Sequence, residues 1–367
     1  MRIALVEPYF GGSHRAFAEG YARFSRNDVT LFTHPSTFWK WRMQGGFLTL
    51  AHQFEQAVAK TGRFDLIVAS SMLDTARFVG TARKAIGYAP VVVYMHENQL
   101  TYPIPPRADF DATYSITNWV SMTAADLVLF NSNFHREVWF ASLPSLLNIF
   151  PDEPHGSIIG DVIEKSEVLP VGIDLRRIKG IGSIRNSRPL ILWNHRWEFD
   201  RGPDIFAAAL IDLWKTGAQF NLALAGEQFV SDPTGFRDLK ALMGDRVVHY
   251  GYASEEEYVA LLGAADIVVS TSRQEFFGIS VAEAVYSGAF PVLPDHLVYP
   301  ERIPPRYRSY CLYTNFDDLS EKLLWALSHR DDAARIASEL RPAMARFDWS
   351  VVAPAFDRRF EVLSRML

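Results

Sequence analysis

Short apolar runs recur from end to end of the chain and alternate with stretches in which apolar residues return every three or four positions. Arg2–Val6, DVTLFT (28–33), DLIVAS (65–70), PVVVYMHE (90–97), DLVLFNS (126–132) and SEVLPVG (166–172) read as strands, and His14–Arg26 as a helix. Runs this apolar are buried on both faces, so the β–α order predicts a parallel sheet with helices on both sides. Residues 178–189, IKGIGSIRNSRP, lack periodicity and read as a linker. The pattern then restarts with strands at 189–195, 220–227, 246–252, 265–272 and 289–294, and helices at 203–217 and 254–265. The second of these helices opens with a capping box, Ser254 to Glu257. Residues 141–160, with three prolines, read as an exposed loop. The expected fold class is α/β: two doubly wound, Rossmann-like parallel-sheet domains, 1–178 and 189–345, joined by a linker at 179–188. Their strand ends would surround a cleft, where such sheets bind ligands.

Composition narrows the class. Of 367 residues, 49% are hydrophobic and 22% charged, as in a core-forming globular protein. No apolar run reaches the roughly 18 residues of a membrane span, and the N-terminus reads as a strand and turn, not a signal peptide. With one cysteine, Cys311, there is no disulfide framework and no Cys-rich zinc site. A cytoplasmic protein is expected. The net charge of -5 comes wholly from the second half, since residues 1–180 carry 17 charges of each sign. That balance is not the polybasic signature of a nucleic-acid binder, although it leaves room for a local patch. The glycine fingerprint of dinucleotide enzymes and the P-loop are both absent.

One stretch carries most of the chemistry: QEFFGISVAEAVYSG, 274–288. Glu275 follows a strand that ends in small polar residues, and Gly278 permits a tight turn. The helix that follows would present its first N–H groups, around Phe277, Gly278, Ile279 and Ser280, to an anion such as a diphosphate. Glu283 lies about one turn into that helix, where a carboxylate can accept two hydrogen bonds from a ribose diol. No Lys or Arg in the stretch pairs with either acid. The competing reading is an exposed helical Glu283 and a capping Glu275.

The spacing Glu-x7-Glu before a small-residue helix and GAFPV resembles the retaining glycosyltransferases of the GT-B fold, family 4 in particular. RIALVEPYFGGSH, VVYMHENQL, VLPVGID (168–174) and HRWEFDRGPD (195–204) resemble further segments of that family in the same order. The last segment, FDWSVVAPAFDRRFEVL, within 346–367, resembles the family's closing helix, which crosses back to the first domain. EPYFGGSH, WKWRM, HENQLTYP and WNHRWE together resemble, more narrowly, the enzymes that add mannose to queuosine in tRNA.

The resemblance implies roles. Arg196 and Arg201 would hold the donor diphosphate, with Arg201 standing where the family has Lys; both can bind phosphate, but the geometry differs. Glu275 and His96 would hold the transferred sugar, and Glu283 the ribose. Gly11 and Gly12 would let backbone approach a phosphate or sugar. Tyr252, in Tyr250-Gly251-Tyr252, falls on the loop that stacks the donor base. Ser13, His14, Glu97 and Asn98 are candidates for acceptor contacts, with Ser13 alternatively a helix N-cap. Trp39, Trp41 and Arg42, in Trp-Lys-Trp-Arg, suit stacking on unpaired bases with phosphate contacts; the alternative is an amphipathic element with its tryptophans inward. Asp109-Phe110-Asp111 spells a D-x-D motif away from the nucleotide strand and reads as chance. No metal and no cofactor are expected beyond the co-substrate nucleotide sugar, GDP-mannose if the narrower resemblance holds. The implied reaction is hexosyl transfer with retention, the departing diphosphate being neutralised by the arginines and the helix N-terminus, with closure at the linker. Three readings stand at this stage: a transferase acting on queuosine-modified tRNA, the same chemistry on a polysaccharide, lipid or small molecule, and a non-catalytic nucleotide-sugar-binding module.

Overall fold

A computed structural model describes residues 1–104, 109–178, 187–227 and 233–366. The chain forms two compact units, one of residues 1–173 with 349–367 and the other of residues 174–348. Most of the predicted linker, 179–186, lies outside the described residues.

The first unit holds strands β1 (Arg2–Phe10), β2 (Asp28–Pro35), β3 (Leu66–Ser70), β4 (Val91–Met95), β5 (Leu127–Phe130) and β6 (Ser166–Val168), in the order β2-β1-β3-β4-β5-β6. All pairings are parallel. β3, β4 and β5 are buried at every position, which explains their unalternating apolar sequence. Helices cover the sheet, with Phe54, Phe78, Trp119 and Trp139 in its core. The order reverses beside β1, so the carboxyl ends of β1, β3 and β4 are where a ligand is expected.

The last helix, Trp349–Met366, belongs to this unit. Trp349 is buried against Gly20 and Gly172, where an added Cβ would meet its ring at 2.1 and 2.2 Å. Asp357, also buried, accepts from Tyr21 Oη at 2.9 Å, Ser25 Oγ at 2.6 Å, the Arg26 N–H at 3.0 Å and Asn27 Nδ2 at 3.0 Å. One carboxylate thus satisfies four donors at the end of the first helix, Gly12–Phe24.

The second unit holds β7 (Leu190–Trp193), β8 (Asn221–Ala225), β9 (Val247–Gly251), β10 (Ile267–Val269), β11 (Phe290–Pro294) and β12 (Leu312–Tyr313), again all parallel, in the order β12-β11-β10-β7-β8-β9. Its order reverses between β7 and β10. The segments after those two strands carry His195–Gly202 and Thr271–Gly278, which places the Arg and Glu candidates at the switch point.

One expectation needs correction, and one motif gains a structural role. Residues 141–147 are not loop: they finish the helix Asn133–Leu147, with Pro144 inside it. Asp111 of the D-x-D sequence caps the helix Ala112–Ala124, its carboxylate accepting from the Thr113 N–H at 3.1 Å.

Candidate active site

In the second unit the two glutamates of the 274–288 stretch do have cationic partners, contrary to the reading from local sequence. Arg201 Nη1 donates to Glu275 Oε2 at 2.6 Å, and its Nε lies 3.2 Å from Asp200 Oδ2. Glu275 Oε1 accepts from the Phe277 N–H at 3.1 Å. Burial pushes the Glu275 carboxyl up, but Arg201 and the N–H groups of Phe277 and Gly278 outweigh it and hold the group below its usual range. Glu275 is therefore an anion fixed in orientation.

The loop carrying Arg201 is laced to the loop carrying Glu275. Thr271 Oγ1 donates to the carbonyls of Arg201 and Gly202, and the Arg273 N–H to Asp200 O at 2.8 Å. Gly202 is left-handed (φ +63), and an added Cβ would lie 2.1 Å from Thr271 O, so only glycine lets the loops meet. Arg196 is more exposed, with Nη2 3.3 Å from Glu198 and 4.0 Å from Asp200. Its neighbour His195 is buried, and that burial drives its imidazole down to about 3, leaving it neutral. Beneath the loop, buried Arg302 donates to Phe277 O at 2.9 Å and stacks on the Phe277 and Phe347 rings.

Gly278, left-handed at φ +83, is the N-cap of the helix Ile279–Ser287 and supplies no side chain to it. The first-turn N–H groups of Ile279 and Ser280 have no intrahelical acceptor to reach, the requirement for an anion site. Glu283 is buried in the same helix. Its Oε1 takes a hydrogen bond from Arg177, and its Oε2 one from Tyr258 Oη at 2.9 Å. Burial nonetheless wins and raises the Glu283 carboxyl. Arg177 also binds Glu255 Oε1 at 2.5 Å, and Asn194 joins Tyr258 Oη at 3.1 Å to Ser280 O at 2.8 Å. Sequence reasoning missed Arg177, Tyr258 and Asn194, whose partners are remote in sequence. Tyr252 is 75% exposed after β9, available to a flat ligand, whereas Tyr250 packs on Trp197 and Lys240.

In the first unit, the carboxyl end of β1 leads through Glu7 and Tyr9 to Gly11 and Gly12. Gly11 is the extended N-cap of the helix Gly12–Phe24, so Ser13 is not the cap but an exposed residue of its first turn. Glu7, 1% exposed, accepts from the Tyr9 N–H at 2.8 Å and lies 2.9 Å from His14 Nδ1. No signal beyond a lone acid at the end of an apolar strand marked Glu7. The His14 and His96 rings lie 4.4 Å apart, and Phe17 and Tyr94 each meet the His96 ring edge-on. Burial, then the nearby His14 and His135, drive His96 well below its ordinary value. A neutral His96 has a buried Nε2 with no protein partner, suited to a sugar hydroxyl.

Glu7, His14 and His96 bring one oxygen and two nitrogens within 4.8 Å of one another, a set a cation would accept, but the Glu7–His14 contact already pairs two of them. Asn98 is not available through its oxygen, which closes its own turn on Leu100 and Thr101; its buried Nδ2 has no partner. Glu97 accepts from Gln99 Nε2 at 3.3 Å. Trp39 turns inward on Tyr114 and Met43, while Trp41 is 60% exposed. Arg42 fastens the preceding turn, donating to Pro35 O at 3.2 Å and Thr37 Oγ1 at 3.3 Å.

Comparison with known proteins identifies the two halves separately. Residues 2–173 match the family model "tRNA-queuosine alpha-mannosyltransferase N-terminal", and residues 175–341 match "Glycosyl transferases group 1". The tRNA-queuosine alpha-mannosyltransferase of Drosophila melanogaster is 32% identical over 334 residues, covering 88% of this chain and 85% of the fly protein. A GDP-mannose:cellobiosyl-diphosphopolyprenol alpha-mannosyltransferase of Xanthomonas oryzae pv. oryzae is 28% identical over 47% of this chain and 46% of its own. Among solved structures, sucrose-phosphate synthase from Thermosynechococcus elongatus superposes with a TM-score of 0.76 at 17% identity, covering 100% of both chains. Anabaena HepE in complex with UDP and glucose does so at 0.69 and 18%, covering 99% of this chain and 100% of that one. The chain is a GT-B hexosyltransferase and belongs to the tRNA-queuosine alpha-mannosyltransferase family.

Proposed function

We propose that the protein transfers mannose from GDP-mannose to a hydroxyl of queuosine in tRNA, with retention at the sugar carbon and without a metal. Kinship with the fly enzyme along 88% of the chain supports the acceptor, and the donor for which the Xanthomonas relative is named supports GDP-mannose. The observation that carries the chemistry is the Arg201–Glu275 pair beside the uncapped helix start at Gly278.

In this reading Arg196, Arg201 and the N–H groups of Ile279 and Ser280 take up the charge that develops on the departing diphosphate. Donors held in place by the fold do this without reorganising in the transition state. Glu275, held ionised, accepts hydrogen bonds from sugar hydroxyls, and neutral His96 offers Nε2 to another. Glu283 receives the ribose diol, and Tyr252 stacks on the base. The acceptor oxygen attacks the anomeric carbon from the side the diphosphate leaves. The bond to the diphosphate breaks as the new one forms, and the acceptor proton passes to a diphosphate oxygen. Gly11 and Gly12 let the backbone approach the donor's sugar or phosphate, and queuosine binds toward Ser13, His14 and Glu97.

A thermal-shift panel of GDP, UDP and ADP tests the donor. GDP should raise the melting midpoint most. Equal shifts, or a preference for UDP, would remove GDP-mannose from the reading.

A further inference from the structure

Phe38 stands at φ 52, ψ 54, a left-handed conformation that a bulky side chain adopts only at a cost, and it is 79% exposed. It is the N-cap of the helix Trp39–Thr61, a position for which Ser, Asp or Asn is better suited, and it supplies no cap hydrogen bond. Trp41, three residues on, is also exposed. An added Cβ at Gly45 would lie 2.8 Å from the Trp41 ring, so the glycine lets the indole lie along the helix surface. Strain and exposed aromatic area thus coincide on one short segment, the turn from β2 into the helix.

The segment abuts the acceptor side of the site. An added Cβ at Gly11 would fall 2.1 Å from Ser36 Oγ, so the turn leading to Phe38 packs on the Gly11-Gly12 turn, one strand outward from β1 in the sheet. Lys40, which lies between Phe38 and Trp41 in sequence, is exposed, its Nζ 5.7 Å from the Trp39 ring and 5.6 Å from that of Tyr114. Asp111, which lies within reach of the Lys40 charge, is occupied as a helix cap.

We infer that Phe38 and Trp41 form a stacking platform for the unpaired bases that flank the acceptor nucleoside, with Lys40 facing their phosphates. This inference rests on the RNA acceptor proposed above. A base modified on its own side chain is presented from a single-stranded or opened segment, so its neighbours expose their faces. Base stacking is tolerant of sequence, and exposed aromatics interleaved with a cation fit RNA better than a purely apolar protein partner.

The test uses the full chain with three variants: Phe38→Asn, which tolerates the left-handed backbone, Trp41→Ala, and Trp41→Phe, which keeps an aromatic face. Dissociation constants are measured for tRNA with and without queuosine, alongside turnover on free queuosine nucleoside, melting midpoint and sedimentation. Phe38→Asn and Trp41→Ala should each weaken binding of both tRNAs about tenfold, with Trp41→Phe recovering most of the loss. Nucleoside turnover should stay unchanged, and Phe38→Asn should melt higher than the wild type as the strain is relieved. Unchanged tRNA affinity overturns the inference, as does a wild-type chain that binds no tRNA. Variants that dissociate a dimer while binding tRNA normally would make the face a protein interface and also overturn it. A wild-type chain that binds tRNA through these residues but transfers no mannose to queuosine would defeat the functional reading and leave the platform standing.

Discussion

Arg201 Nη1 lies 2.6 Å from Oε2 of Glu275, and both side chains are largely buried. In the proposed mechanism the arginine has two tasks, neutralising a diphosphate and holding the carboxylate that faces the sugar. Its guanidinium presents donors in more than one direction, with Nε toward Asp200 and Nη1 toward Glu275. A lysine has one donor centre and cannot span both. Arg201→Lys should therefore lower kcat about tenfold with the fold intact, and Arg201→Ala about 100- to 1000-fold. Steady-state turnover with GDP-mannose checks this, with the circular-dichroism melt as control.

Glu283 is already engaged by Arg177 and Tyr258 before any nucleotide arrives. A ribose bound there, as proposed, must share or displace one of those partners. Tyr258→Phe removes a donor and leaves Glu283 Oε2 unpaired in a buried place, which costs stability of about 1 kcal/mol. It also frees that oxygen for a ribose hydroxyl. The expected outcome is a lower melting midpoint with GDP affinity unchanged or tighter, read by calorimetry. Burial raises the Glu283 carboxyl and Arg177 opposes that rise, so Arg177→Ala should make Glu283 take up its proton at a higher pH than in the wild type, and GDP affinity should begin to fall at a higher pH as the solution is acidified.

The buried histidines make stability sensitive to acid. Burial holds His135 and His195 at about 3, and His96 also well below its ordinary value. In the unfolded chain they take up protons near pH 6.5. Well above that pH neither state is protonated and they add nothing; as pH falls through it, only the unfolded state gains protons, so stability is lost. The slope approaches about 1.4 kcal/mol per pH unit for each such histidine. Glu275, held below its usual value, adds stability above the ordinary carboxylate range and loses it as pH falls through its own depressed value. Urea midpoints at pH 7.5, 6.5 and 5.5 should fall a little over the first interval and roughly three times as far over the second. His135→Gln should reduce the drop.

Asp357 anchors the final helix to the first unit by satisfying four donors. Asp357→Asn keeps shape but turns an acceptor-only group into one that meets donors with donors. It should destabilise by about 3 kcal/mol, and Asp357→Ala by at least as much. Chemical denaturation of the full chain gives the number.

The sheets were legible because their strands are buried on both faces and so are spelled as unbroken apolar runs; LIVAS at 66–70 is an instance. The helix after Gly278 was legible because a glycine that must be left-handed sits between a strand and a small-residue helix. What local sequence could not show was pairing at a distance. Arg201 is 74 residues from Glu275 and Arg177 is 106 from Glu283, and only the packed sheet brings them together. The inward turn of Trp39 and the outward one of Trp41 were likewise undecided, because two residues apart on a helix points side chains nearly opposite ways and leaves open which of them faces the core. Pro144 misled because prolines usually end helices, whereas here one lies within the helix Asn133–Leu147.

The central claim is hexosyl transfer to a modified nucleoside in RNA, with Glu275 and Arg201 at the reacting centre. The most direct measurement incubates the protein with isotope-labelled GDP-mannose and tRNA that either carries or lacks queuosine, and follows label into the RNA by mass spectrometry of its nucleosides. The account predicts a mannosyl mass increment on queuosine alone, abolished by Glu275→Gln in a variant that still binds GDP. Label appearing equally in both tRNAs, in neither, or undiminished with Glu275→Gln would contradict it.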